Sequence, residues 1–171
     1  MACALAAGAA LFGGLSLATA GGARPLLLWN RTASEPEGLY VRGAGPVSVG
    51  ALIAFRAPPA AYPYADGHMA YLRRVPILKH VAAVNGDQVC TANDRLEING
   101  RVRAPILRQD RGGAALPRWE GCRRLRDGEL FVFSDRIPNS FDSRYFGPVS
   151  RAEILGVFRP LAIPHASPGD R

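Results

Sequence analysis

The sequence predicts a mainly β domain, with antiparallel sheets forming a sandwich or barrel, behind an N-terminal apolar helix. Three observations carry this. Short apolar runs recur along the chain and are separated by turn residues. The tetrapeptide Glu97-Ile98-Asn99-Gly100 leading into Arg101-Val102 is a hairpin signal, because Asn-Gly suits a tight turn with positive φ at both central residues. Residues 2 to 22 carry no charge and are mostly Ala, Leu and Gly.

That first stretch is about the length a helix needs to span a bilayer. It reads either as a retained anchor or as a signal segment cleaved near Ala18-Thr19-Ala20. Apolar character resumes after Arg24, and Trp29 suits a membrane–water interface, so the anchor is favoured. The expected division is an anchor or signal segment over 1–29, a β-rich domain over 30–163 and a tail over 164–171.

Val47 to Phe55 reads as a strand with Gly50 as a bulge, and Ala57 to Tyr64, with three prolines, as a loop. Val75 to Val84 is a long apolar strand whose alternation sets Ile77, Lys79, Val81 and Ala83 on one face. Arg108 to Glu120 is a polar loop, and Leu130–Phe133 and Ile154–Phe158 are short strands. No helical period is evident after residue 30.

The net charge is +7, but the arginines are scattered and not interleaved with aromatics. Nucleic-acid binding is therefore not expected. Of the 21 Lys and Arg residues, Lys79 alone is lysine. A lone lysine in an arginine-rich chain points to a task needing a cation that can lose its proton. In an apolar strand, burial lowers the pKa of an amine and makes it a competent base for a serine hydroxyl.

Cys90 and Cys122 lie in the polar body without a CxxC or clustered histidines, so no metal is expected. In an exported domain they would form a disulfide, and in a cytosolic one they would be free thiols. No Gly-rich phosphate loop is present, and no cofactor is expected. His68, His80 and His165 fall in no recognisable triad motif.

The segment Asn139-Ser140-Phe141-Asp142-Ser143-Arg144-Tyr145-Phe146-Gly147 resembles the last box of type I signal peptidases. Lys79, followed by His80-Val81-Ala82-Ala83-Val84-Asn85-Gly86-Asp87, resembles their lysine box, and Ser34 resembles their nucleophile. The resemblance covers roughly residues 30 to 160 and looks nearest to the conjugative-transfer branch, the TraF type. There are departures: Glu35 stands where the general enzymes have Met, and Ser134-Asp135-Arg136 replaces their Gly-Asp-Asn.

The resemblance implies a serine peptidase with Ser34 as nucleophile and Lys79 as base. It implies Thr32 as an oxyanion donor, Ser140 as a hydrogen-bonding partner that orients Lys79, and an Asp142–Arg144 ion pair, with Asp142 either catalytic or structural. It also implies an exported precursor such as a conjugative pilin as substrate, an inner-membrane anchor and a periplasmic catalytic domain. The rival expectations are a general signal peptidase, a non-catalytic periplasmic scaffold, and a self-cleaving repressor, which would need a DNA-binding module in front.

Overall fold

The computed structural model describes residues 24–163. Every strand pairing is antiparallel, in two sheets. The larger has seven strands in the order β1-β2-β11-β3-β4-β9-β10. These are β1 (Leu27–Asn30), β2 (Gly38–Gly43), β11 (Ile154–Ala162), β3 (Leu52–Phe55), β4 (Ile77–Ala83), β9 (Glu129–Phe133) and β10 (Val149–Ser150). The smaller has four, β7 (Arg101–Pro105), β6 (Arg95–Ile98), β5 (Gln88–Ala92) and β8 (Gly121–Arg124), in that spatial order.

The β6–β7 turn forms as expected, with φ of 51° at Asn99 and 74° at Gly100. Cys90 sits directly opposite Cys122 across β5 and β8, and the two are joined as a disulfide. The core has three parts. Ile53, Phe55, Ile77, Val81, Leu130 and Val132 pack under Ala61, Ala65 and Leu72. Ala82, Phe131 and Phe133 of the large sheet meet Val89, Leu96 and Ile98 of the small one. Tyr40, Leu52, Ala54 and Leu78 form the third with Leu155 and Phe158.

Four expectations change. Leu27 to Trp29, placed in the N-terminal segment, belong to β1, which pairs with β2 from Leu27↔Val41 to Asn30↔Gly38. The rest of the proposed apolar helix, and the tail from Pro164, lie outside the described residues, among which no helix is long and apolar enough to cross a membrane. The strand expected from Val47 begins only at Leu52, because Ala51 N–H closes a turn on Ser48 O and Gly50 takes φ of 86°.

The segment read as a loop after Ala57 contains helix α1 (Tyr62–His68), with Pro63 in its first turn, where a missing N–H costs no hydrogen bond. A second short helix, α2 (Ser143–Phe146), lies inside the polar box, capped by Asp142, whose carboxylate accepts from Arg144 N–H.

Candidate active site

The loop between β1 and β2 carries Ser34, and one asparagine organises it. Asn30 Nδ2 donates to the carbonyls of Thr32 (2.9 Å), Glu35 (2.9 Å) and Pro36 (3.0 Å). Its Oδ1 accepts from Thr32 N–H (3.2 Å) and the Thr32 hydroxyl (2.8 Å). Tyr40 O–H donates to Pro36 O at 2.6 Å. From the far side, Ser134 Oγ donates to Ser34 O, and Arg136 Nε to Ala33 O at 3.3 Å. The backbone around Ser34 is thus fixed by side chains from β1, β2 and the end of β9.

Strand β4 delivers the partner. Ile77 and Val81, on either side of Lys79 at strand spacing, are core residues, so alternation turns Lys79 inward as well. Lys79 is 4% exposed, and its Nζ donates to Ser34 Oγ at 2.7 Å and to Leu78 O at 3.0 Å. Burial pulls the Lys79 amine below its usual 10.5; Asp142 and Glu35 pull it back up, and Arg144 adds to the lowering. The result is a serine hydroxyl against an amine whose burial favours loss of its proton, an arrangement that suits proton transfer from oxygen to nitrogen.

Asp142 and Arg144 form a bidentate ion pair, both at most 1% exposed, with Nε–Oδ1 at 2.8 Å and Nη2–Oδ2 at 2.9 Å. Arg144 also donates to the carbonyls of Pro105, Pro138 and Ser140, tying β7 to the polar box.

Two other candidates sit differently from expectation. Ser140 is buried, but among the described residues its hydroxyl has no hydrogen-bond partner and is not bonded to Lys79; the second acceptor on Lys79 is the Leu78 carbonyl instead. Thr32 Oγ1 lies 3.3 Å from Ser34 Oγ while bonded to Asn30. His68 stacks on Tyr64 beside Asp110, His165 lies outside the described residues, and His80 faces Glu35.

Sequence reasoning missed the roles of Asn30 and Ser134 and the Glu35–His80 contact. Their contributions depend on loop closure, although the adjacency of His80 to Lys79 and of Glu35 to Ser34 was a usable clue.

The domain is mainly β and sets a serine hydroxyl against the only lysine of the chain. The family model described as "Signal peptidase, peptidase S26" matches residues 10–161, and the chain belongs to that family.

Among curated relatives, a plasmid transfer protein TraF of Escherichia coli is 34% identical over 149 residues, covering 77% of this chain and 80% of its own. A conjugal transfer protein TraF of Agrobacterium fabrum is 33% identical over 167 residues, covering 91% and 90%. Signal peptidase I V of Bacillus subtilis is 31% identical over 91 residues, covering 47% and 54%. The protein is therefore a peptidase related to signal peptidases.

Proposed function

We propose that this protein is a membrane-anchored Ser–Lys endopeptidase that matures an exported precursor, a pilin subunit of a conjugation system, on the periplasmic side of the inner membrane. The observation that carries the reading is the 2.7 Å contact between Ser34 Oγ and buried Lys79 Nζ. It favours a peptidase over a scaffold, for which the two side chains would have no reason to meet. The coverage of the transfer-protein relatives favours a conjugation substrate over general preprotein processing.

In this mechanism neutral Lys79 takes the Ser34 proton as Oγ attacks the scissile carbonyl carbon. The tetrahedral oxyanion is held by Ser34 N–H and by the Thr32 hydroxyl, which turns from Asn30 Oδ1 to donate to it, one such donor supplying roughly 3 kcal/mol. Collapse breaks the C–N bond, and the Lys79 ammonium protonates the leaving amine. The acyl-enzyme is then released by water, or by an amine of the substrate to give a new peptide bond. Asp142 and Arg144 hold the polar box against β9.

The test is processing of the pilin precursor in cells carrying wild type, Ser34→Ala or Lys79→Arg. Both variants should accumulate and lose processing by about 10³-fold or more, because arginine keeps the charge but cannot serve as base. Processing at the wild-type rate with Lys79→Arg overturns the proposal.

A further inference from the structure

Ser34 and Lys79 make only half of the contact between their two segments. The residue after each also meets its counterpart. Glu35 is 1% exposed, and His80 Nδ1 lies 3.2 Å from both oxygens of its carboxylate. Strand alternation separates Lys79, which is buried, from His80, whose side chain is half exposed. Two consecutive loop residues therefore grip two consecutive strand residues. A shift of the loop along β4 would break both contacts together.

We propose that Glu35 and His80 are a positioning pair that sets the register of the Ser34 loop on β4 and the charge felt by Lys79. This rests on the reading of Ser34 and Lys79 as the catalytic pair. Burial of a carboxylate whose side-chain partner is a histidine at the rim of the site is costly unless that partner is held close. The position does positional work that an apolar residue could not.

The surrounding charges define the field. His80 faces Glu35 from the β1–β2 loop and Asp135 from the segment after β9, with Lys79 beside it on its own strand. Its sheet neighbours, Leu52 and Phe133, are apolar. The bond to Glu35 raises the His80 pKa above 6.5. Glu35 in turn favours the ammonium form of Lys79; burial raises the Tyr40 phenol, Glu35 adds to that rise, and Arg136, bonded to Ala33 O, acts oppositely. Protonated His80 cancels part of the Glu35 charge, so the pair tunes the base as well as placing the nucleophile.

The experiment uses the full chain in detergent micelles, cleaving purified pilin precursor across a pH series, with Glu35→Gln, His80→Ala and His80→Arg. Lys79 is titrated directly as the single lysine resonance of protein labelled at the lysine ε-carbon. Glu35→Gln and His80→Ala should each lower kcat about tenfold or more, with KM changed less than about twofold, since misplacement of a nucleophile affects the chemical step.

The Lys79 titration should move in opposite directions. It falls in Glu35→Gln, which removes the anion, and rises in His80→Ala, which leaves that anion unneutralised. A loss of packing alone would not produce opposite shifts. His80→Arg restores the cation and should recover kcat to within about threefold, because the charge-assisted bond is regained.

Wild-type kcat in both Glu35→Gln and His80→Ala overturns the inference, as do titration shifts in one direction only. So does a folded His80→Arg that fails to recover activity. If Ser34→Ala or Lys79→Arg stays fully active, the catalytic reading fails first. If both are inactive while Glu35→Gln and His80→Ala behave as wild type, only the positioning role falls.

Discussion

Asp142→Asn is the substitution whose outcome follows most directly from the geometry. Asp142 is fully buried, and each of its oxygens serves two donors. Oδ1 accepts from Arg144 N–H and Nε, and Oδ2 accepts from Ser134 N–H and Arg144 Nη2. An asparagine must place its NH2 at one of these positions. Whichever way it turns, a donor then faces two donors, and the Arg144 guanidinium is left buried without its counter-charge. Removing one partner of such a pair costs about 3–5 kcal/mol.

For a chain of this size each kcal/mol moves Tm by about 2–4 °C, so Tm should fall by about 6–20 °C. Thermal unfolding of the full chain by circular dichroism measures it. The double variant Asp142→Asn with Arg144→Met should lose less than the sum of the two single losses, because the orphaned cation is removed with its partner. A Tm for Asp142→Asn within about 2 °C of wild type would refute the account of the pair as a buried structural tie.

Other substitutions test other parts. Lys79→Met should raise Tm at neutral pH while abolishing processing, since an amine buried below its usual pKa weakens the fold. The sign follows from proton counting. Between the lowered folded pKa and 10.5 the unfolded chain holds the extra proton, so wild-type stability rises with pH there and the advantage of methionine shrinks on titration to alkaline pH.

Gly147→Ala should lose at least about 2 kcal/mol in a denaturant melt. Its backbone has φ of +80°, and an added Cβ would lie 2.6 Å from Trp119 Cδ1. Reducing Cys90–Cys122, which closes a loop with a sequence separation of 32, should lower stability by about 3–4 kcal/mol, read as a Tm drop in dithiothreitol.

The parts legible in the sequence were those fixed by local chemistry. Alternation along Ile77, Lys79 and Val81 placed the lysine inward, and Asn99-Gly100 specified its turn. Features that depend on the closed fold escaped. Leu27 to Trp29 continue an apolar run, and only their pairing with β2 makes them strand. Pro63 reads as a breaker, yet in a first turn it is neutral. The Asp142–Arg144 pair was expected from the resemblance of its box, whereas Glu35 and His80 are 45 residues apart and no motif joins them. Ser140 marks the limit of transferring a contact by resemblance, since Lys79 bonds Ser34 and Leu78 instead of its hydroxyl.

The solitary lysine has a use outside the reaction. A lysine-specific protease has one cut site in the whole chain, the bond between Lys79 and His80. That bond lies in the middle of β4, hydrogen-bonded on one side to β3 and on the other to β9. Cleavage therefore requires the centre of the large sheet to come apart, so its rate reports the open population of the core and not the fraying of loops. Both cysteines of the disulfide lie on the C-terminal side of the cut, so no covalent link would hold the two pieces together. A single band lost on a gel would then measure the stability of the sheet that holds the site.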